Sequence, residues 1–386
     1  MLETLKFGKG NWANKTDSTL AYSDQYGNFQ AIPFDFTRAT TATRVNKQGL
    51  IESVNDGIAR IDYSDSTQGA LLLEPQSTNL ITDSNDANDI GGGVVETSSG
   101  TSPDGTQNAF KLTFGVGQND GATLYIGGST ALPSTEYTFS VYAKSVNGDG
   151  TFKVRIDTNT QALVADNNIT STSEWQRYSF TFTTDAACSS FTTNTRLRGV
   201  TDNNEILFYG LQVEELSYET SLIPTSGTIV TRNQEICKNA TPVINSEEGV
   251  LYAEISALVD DAPHRWISLS DATTNNRVNF QYYTGSNEIR VEVRSEGVTS
   301  LNSFIIVTDI TDFIKIGVKW KLNDFAVWIN GVEVATSNTG NAPIGMSTLS
   351  FTHYGQSANP FFGNTKDLKI YNTALTDAQL QTLTTI

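Results

Sequence analysis

Carboxylate pairs are the first groups in the sequence that could carry out a reaction. Hydrolysis of a glycosidic bond needs two carboxyl groups, one on each side of the scissile bond. Glu214 and Glu215 are adjacent on a predicted strand, so their side chains leave it on opposite sides. Asp309 and Asp312 stand in a stretch typical of a solvated loop. The carboxylate spacing therefore predicts that the protein is not an enzyme.

The two histidines and the two cysteines show no catalytic or metal-binding spacing. His264 and His353 are far apart, and neither has a Ser, Cys or Asp pattern typical of a triad or a nucleophile elbow. Cys188 and Cys237 lack a C-x-x-C or Cys/His motif, and we interpret both as free thiols. These residues predict no cofactor and no metal site.

One loop nevertheless offers oxygen ligands for a cation. Asp271, Asn275 and Asn276, in SDATTNNRVN, could bind calcium through carboxylate and amide oxygens. Clusters of Asp and Asn are also typical of turns. Both interpretations stay open for this loop.

Aromatic side chains next to amides could bind sugars, because a ring stacks on a sugar face while polar groups bind its hydroxyls. Trp320 shares the apolar phase of its strand and is predicted to be core. The candidate sugar contacts are Trp266, Tyr282, Tyr283, Trp328, His353 and Tyr354. Packing in the core is the competing interpretation for each of them, since aromatic residues dominate protein cores.

The composition describes a large folded protein with an acidic surface. At 386 residues, the chain is long enough for about two or three domains. A formal net charge of −17 disfavours nucleic-acid binding, because a polyanion would be repelled. Hydrophobic residues at 38% argue against intrinsic disorder. No apolar segment has the length of a transmembrane helix or the pattern of a signal peptide, so we predict no membrane insertion.

Alternation of apolar and polar residues predicts an all-β fold. In YTFSVYAK, the apolar side chains of Tyr137, Phe139 and Val141 point to one face, and TFKVRID repeats this pattern. EILFYGLQVEE is apolar on both faces, which predicts a central strand. Strands divided by Gly, Asn, Asp and Ser turns indicate β-sandwiches.

The last part of the chain ends in two distinctive segments. KIGVKWKLNDFAVWINGVEVA reads as paired strands around Asn330-Gly331, a type I′ turn signal. In LTDAQLQTL, Thr376 is the predicted N-cap of a short helix and Gln379 completes a capping box. With FGNTKDLKIYN before the helix, these segments resemble concanavalin A-like, laminin G-like domains. The resemblance implies a jelly-roll β-sandwich over residues 241–386.

The middle of the chain contains four further segments, SPDGTQNAFKL, YTFSVYAKS, EWQRYSFTFT and ILFYGLQVEE. They resemble the jelly-roll carbohydrate-binding modules of glycan-degrading enzymes and of phage virion proteins. This resemblance implies a first jelly roll over residues 83–223.

The stretch GLQVEELSYETSLIPTSGTIVTR, from Gly210 to Arg232, follows directly. Its QVE, followed by the Tyr, Thr-Ser, Ile-Pro-Thr-Ser-Gly and Thr-Arg positions, is similar to a pattern of phage tail and fibre proteins. Pro224 favours extended backbone before it. We expect a short, stiff linker over residues 224–240, independently folding jelly rolls on either side, and a distal, partner-facing C-terminal domain.

Residues 1–82 contain FDFTRATTATRVNKQGLIE, ARIDY and LLLEPQSTNLI, which read as short hairpins with apolar side chains that they cannot hide. These segments resemble the leader of many phage structural proteins. The resemblance implies a β-hairpin arm for virion docking or oligomerisation, other virion proteins as partners, and a homo-oligomer with a trimer favoured. It also implies location in the virion, after assembly in the host cytoplasm and release by lysis.

Together the resemblances imply a phage tail or head fibre protein, acting as an adhesin or decoration that binds host-surface glycans. A bacterial glycan-binding protein is the alternative, and it would carry a secretion or sorting signal. A polysaccharide depolymerase is a further alternative, which would need a carboxylate pair in a long groove.

Overall fold

The computed structural model describes residues 3–25, 28–115, 120–124, 130–162, 164–192, 195–200 and 204–386. Its regular structure is almost entirely β, which confirms the predicted all-β fold class. The chain divides into two compact units. Unit 1 comprises Met1–Thr41, Val54–Pro75 and Gln234–Ile386, and unit 2 comprises Ala42–Ser53 and Gln76–Asn233.

The strands are numbered in chain order. The first eleven are β1 (Leu5–Gly8), β2 (Asn14–Lys15), β3 (Ser18–Gln25), β4 (Asn28–Thr37), β5 (Ala42–Val45), β6 (Ile51–Val54), β7 (Arg60–Asp62), β8 (Ala70–Leu73), β9 (Ser77–Asn79), β10 (Asn88–Ile90) and β11 (Val94–Gly100). The next ten are β12 (Ala109–Thr113), β13 (Gly121–Thr123), β14 (Glu136–Ser145), β15 (Gly150–Ile156), β16 (Ala165–Ser171), β17 (Gln176–Thr183), β18 (Arg196–Gly199), β19 (Glu205–Glu214), β20 (Val230–Arg232) and β21 (Ile236–Lys238). The last ten are β22 (Glu248–Ala257), β23 (Arg265–Ser270), β24 (Arg277–Tyr282), β25 (Glu288–Ser295), β26 (Val298–Ile306), β27 (Ile314–Lys321), β28 (Phe325–Ile329), β29 (Val332–Ser337), β30 (Thr348–Ser350) and β31 (Gly363–Tyr371), followed by helix α1 (Asp377–Thr384).

Unit 1 contains two large sheets. One follows the order β21-β4-β3-β1-β31-β22-β27-β28-β29, with β2, β7 and β8 paired off this path. The other is five-stranded, in the order β26-β25-β24-β23-β30. Side chains from both sheets form one hydrophobic core, and Trp320 is fully buried in it, as predicted.

The N-terminal strands are part of unit 1, so the structure divides the chain differently from the predicted boundary at residue 82. Strand β1 pairs with β31, which sets Leu5 opposite Ile370 and Phe7 opposite Leu368. The Phe7 ring lies 5.2 Å from the ring of Phe34 on β4. The apolar side chains that a free arm would expose are therefore buried against the C-terminal strands, because such burial stabilises the folded chain. The docking role of this region stays a prediction.

A buried charge cluster joins three chain segments within unit 1. Arg60 donates from Nε to Glu235 Oε1 (2.8 Å) and from Nη2 to Glu74 Oε2 (2.7 Å). Arg38 donates from Nη1 to Glu235 Oε1 at 2.6 Å. The Arg38, Arg60 and Glu235 side chains are fully buried. Against the opposing effect of burial, Glu235 and Glu74 raise the pKa of Arg60, so Arg60 remains a cation.

Unit 2 contains two five-stranded sheets, ordered β10-β13-β18-β15-β16 and β11-β12-β19-β14-β17. The predicted strand phases are confirmed, since Tyr137, Phe139 and Val141 are buried in the core of unit 2 together with Phe152 and Val154. Strand β19 pairs with β12 on one side and β14 on the other, which confirms its predicted central position.

The stretch from Gly210 to Arg232 folds back within unit 2 rather than leaving it. Glu214 is fully buried and accepts hydrogen bonds from Gln212 Nε2 (2.6 Å), Ser77 Oγ (2.6 Å) and Thr220 N (2.8 Å). Strand β20 then pairs with β9. Residues 224–232 of the predicted linker therefore belong to unit 2, and β21 pairs with β4 in unit 1. A buried carboxylate needs hydrogen-bond donors, and Gln212 and Thr220 supply them to Glu214. This explains why the Gln-Val-Glu and Thr-Ser segments occur together in the sequence.

The C-terminal local structure confirms the sequence prediction. Asn330 and Gly331 both have positive φ, at 49° and 82°, as a type I′ turn requires. Thr376 caps α1 and forms the capping box with Gln379. No helix within the described ranges is long and apolar enough to cross a bilayer.

Candidate functional site

The face of the five-stranded sheet that points away from the core of unit 1 carries many polar residues, and about half of them are buried. Strands β23 and β24 pair in a register that sets Trp266 opposite Gln281 and Ser268 opposite Asn279. The alternate residues, such as Ile267 and Phe280, lie in the core. We call the outward set the polar face; its members are Trp266, Ser268, Arg277, Asn279, Gln281, Tyr283, Arg290, Glu292, Arg294 and Phe304, together with the adjoining His264, His353 and Tyr354.

Three of the predicted sugar contacts form one aromatic group at the polar face. The Trp266 ring lies 4.5 Å from the His353 ring and 5.4 Å from the Tyr354 ring, measured between centroids. Ser268 holds the segment in place, because its Oγ donates to Thr352 O (2.7 Å) and accepts from Tyr354 N (3.2 Å). Tyr354 has a φ of 53°, a left-handed conformation that is uncommon for a bulky residue and is concentrated at functional sites.

A second aromatic group surrounds Tyr283. Its ring lies 4.8 Å from His264 and 5.2 Å from Phe304, and the Arg290 guanidinium lies 5.6 Å above it. Phe304 is 50% exposed, which leaves much of its side chain open to solvent. The sequence prediction missed Phe304 and Arg290, since their place beside Tyr283 depends on pairing of β25 with β26.

Several polar atoms under the polar face are buried without a hydrogen-bond partner. They are Asn279 Nδ2 and Oδ1, Gln281 Nε2 and Trp266 Nε1. Gln281 is held at its other end, where its Oε1 lies 3.1 Å from His264 Nδ1. An unpartnered buried amide costs about 1–3 kcal/mol, and the core residues Trp320, Trp328 and Tyr282 also contain such unpartnered polar atoms. These atoms are closed off from solvent, so they shape the interior beneath the polar face rather than present donors to a ligand.

Charge on the polar face is predominantly positive. Buried Glu292 forms its main ion pair with Arg277, and Arg290 Nη2 lies 3.4 Å from the same carboxylate. The Arg277 guanidinium also lies 4.8 Å above the Tyr354 ring. Burial, followed by the charges of Arg277 and His264, holds the pKa of His353 below its ordinary value. His353 is therefore neutral at neutral pH and can act as donor or acceptor.

Two of the predicted sugar contacts have packing roles instead. Tyr282 is buried in the core of unit 1, where its ring lies 5.7 Å from that of Phe361. Trp328 is 8% exposed and lies in a cluster with Leu375 and Leu380 near α1. Both faces of β28 are covered, so Ala326 and Trp328, which point to the face opposite Phe325 and Val327, are buried as well. Neither ring has a surface free to stack on a ligand, and the same holds for Trp266 and Tyr354, which are 5% and 3% exposed.

The remaining sequence candidates have structural surroundings. Asp271 Oδ1 accepts from Thr273 N (2.8 Å) and its Oδ2 accepts from Asn276 Nδ2 (2.9 Å), which is the geometry of an Asx turn. Among the residues that the structure describes, no group of three or more His, Cys, Asp or Glu side chains is arranged to hold a metal ion. Calcium at this loop stays a prediction. Cys188 and Cys237 are buried and free.

Comparison with known proteins gives a match in unit 2. Residues 88–198 match the family described as carbohydrate binding domain, a range that runs from β10 into β18. No curated protein matches the sequence.

Several solved structures show partial likeness. The CBM40 of the Ruminococcus gnavus IT-sialidase is 15% identical with a TM-score of 0.32, and the likeness covers 37% of this chain and 85% of that chain. Domain 4 of AbnA, a GH43 extracellular arabinanase from Geobacillus stearothermophilus in complex with arabinotriose, is 16% identical with a TM-score of 0.32, covering 39% and 73%. A SAP-like pentraxin from Limulus polyphemus is 16% identical with a TM-score of 0.29, covering 38% and 73%. Over residues 88–198, unit 2 thus matches a family of carbohydrate-binding domains.

Proposed function

We propose that this protein is a non-catalytic glycan-binding protein. The observation that carries the proposal is the match of residues 88–198 to a family of carbohydrate-binding domains. The polar face of unit 1 supports it independently, because the half-exposed Phe304 ring lies beside the Tyr283 ring and the Arg290 guanidinium. The carboxylate spacing supports binding without hydrolysis, since Glu214 is fully buried among hydrogen-bond donors of its own unit.

Within this function, we propose a place on a phage particle, as a tail or head fibre protein that binds host-surface glycans. The support is the similarity of the N-terminal segments and of the Gly210–Arg232 stretch to phage structural proteins. The same proposal includes four further points: a trimer, other virion proteins as partners, location in the virion, and a laminin G-like domain over residues 241–386. Electron microscopy of particles labelled for this protein tests it. Labelling of bacterial surfaces without particles would favour the bacterial glycan-binding alternative.

The glycan-binding proposal is tested with the full chain on an array of bacterial surface polysaccharides. We expect saturable binding to at least one glycan and no release of new reducing ends from it. Failure to bind any glycan would contradict glycan binding, and turnover would contradict the non-catalytic assignment.

We expect Phe304→Ala to weaken binding of a glycan held at the polar face by about fivefold to tenfold. The substitution removes the exposed half of the ring that would contact the ligand, and losing that contact costs about 1 kcal/mol of binding free energy. Isothermal titration with a glycan identified on the array measures the change. Stability should be nearly unaffected, since half of Phe304 already faces solvent.

Leu322→Ala is the matched control, because Leu322 is 59% exposed and lies next to β27, in the other sheet of unit 1. Equal affinities for both variants and the unmodified chain would remove the polar face from the proposal and leave unit 2 as the binding unit.

A further inference from the structure

We propose that unit 2 binds the carboxylate or sulfate group of an acidic saccharide on the outward face of its β10-β13-β18-β15-β16 sheet. This inference rests on the glycan-binding part of the proposed function and adds the class of ligand. The residues concerned are Lys153, Arg155, Arg196 and Arg198, which we call the arginine face. Alternation places them outside, because Val154 and Leu197 between them are buried in the core.

Register places like charges directly opposite each other on the arginine face. Strands β15 and β18 pair so that Arg155 faces Arg196 and Lys153 faces Arg198. Directly opposed like charges destabilise a sheet. The protein as a whole has a net charge of −17, so a group of four cations on one face runs against its overall composition. The concentration of cations on two adjacent strands therefore indicates a role in binding.

Carboxylates offset only part of this charge. Asp157 takes up Arg155 through two hydrogen bonds, at 2.9 Å from Nε and 2.6 Å from Nη2. Asp166 lies 3.0 Å from Lys153 Nζ and 3.6 Å from Arg198 Nη1. Asp157 and Asp166 thus form ion pairs with three of the four cations, Lys153, Arg155 and Arg198.

Arg196 is the cation that has no such partner. Among the described residues, no carboxylate lies within ion-pair distance of its guanidinium, and its Nε is buried without a hydrogen bond. Burial, followed by the charges of Arg155 and Arg198, lowers the pKa of Arg196, and the nearby charge of Asp157 opposes this shift only in part. The same neighbours would stabilise an anion placed between them, because its charge would offset theirs.

The geometry fits an oxyanion on a sugar. A guanidinium presents a planar fork of donors that matches the two oxygens of a carboxylate or sulfate. On β13, Gly121 stands opposite Arg198 and Thr123 stands opposite Arg196. Strand β18 is the middle strand of its sheet, and the match to carbohydrate-binding domains extends over Arg196 and Arg198.

The test uses the full chain and matched ligand pairs: a uronate-containing oligosaccharide with its carboxyl-reduced form, and a sulfated oligosaccharide with its desulfated form. We expect the charged member of at least one pair to bind at least tenfold more tightly, as charge-assisted hydrogen bonds contribute. Sodium chloride should weaken only the charged member.

Arg196→Ala should remove this preference, whereas Arg177→Ala should keep it. Arg177 is the matched control, because it lies in the other sheet of unit 2 and its loss changes net charge equally. Arg196→Gln, closer in shape, serves if the alanine variant is poorly folded. Without ligand, the denaturation midpoint of the Arg196 variants should equal or exceed that of the unmodified chain, because a repulsion has been removed.

The outcomes separate this inference from the proposed function. Saccharide binding that ignores the acidic group, or that survives loss of Arg196, overturns the inference and leaves glycan binding standing. Absence of binding to every saccharide overturns both. Binding of polyphosphate or an acidic peptide through Arg196, without any saccharide, would overturn the saccharide class.

Discussion

Replacing Glu235 by Gln should destabilise unit 1 by about 3–5 kcal/mol, the usual effect of breaking a buried ion pair. Glu235 accepts from both Arg38 and Arg60, and the three side chains are fully buried. Gln keeps the volume and removes the charge, so two guanidinium groups would lose their shared counter-ion. A loss of this size is a large part of the typical stability of a domain, about 5–15 kcal/mol.

Urea unfolding followed by tryptophan fluorescence measures this loss. Trp12, Trp266, Trp320 and Trp328 lie in unit 1, whereas Trp175 lies in unit 2, so a Trp175→Phe background reports on unit 1 alone. Glu248→Gln is the matched control, because its pair with Lys321 (3.0 Å) is partly exposed and such pairs contribute about 0–1 kcal/mol. If the two substitutions had equal effects, the cluster would not have the stabilising role assigned to it.

The part of the fold that sequence predicts is the part encoded locally. Alternation in β14 and β15 identified their buried faces, and Asn330-Gly331 identified a turn, because each signal lies within a few residues. The place of β1 was not predictable in this way. Its partner, β31, follows more than 350 residues later, and nothing near Leu5 indicates which strand it joins.

The candidate site shows the same limit. In RVNFQYY, Val278 and Phe280 continue the buried phase to Tyr282, so its core position could have been inferred. Trp328 could not be assigned, since a helix far along the chain covers its face of the strand. The partnership of Tyr283 with Phe304 and the opposition of Arg155 to Arg196 depend on the register between strands, which no single segment encodes.

The buried stretch from Gly210 to Arg232 also changes the interpretation of the seam. Proline and glycine suggested an exit from one domain, yet Leu222 and Ile223 are buried in unit 2 and Asn79 Nδ2 donates to the Ile223 carbonyl (2.9 Å). Cleavage at Pro224 would therefore cut unit 2 before β20, its last strand, rather than separate two domains. The transition between units in this part of the chain lies at Asn233 and Gln234.

A chain that starts at residue 85 should fail to fold in unit 1, in contrast to what a detachable N-terminal arm would allow. The truncation removes β1, β3 and β4, which stand side by side in the large sheet and continue it to β21. Leu5, Phe7, Phe34 and Phe36 are buried in the core, and at about 1.5–3 kcal/mol each their loss approaches the stability of a whole domain. It also removes Arg38, Arg60 and Glu74, which leaves Glu235 without its partners.

Circular dichroism and urea titration should show no cooperative transition for unit 1, whereas a chain starting at Glu3 should unfold like the full chain. A cooperative transition of full amplitude in the shorter chain would restore the detachable arm, because the C-terminal strands would then form a complete sandwich alone.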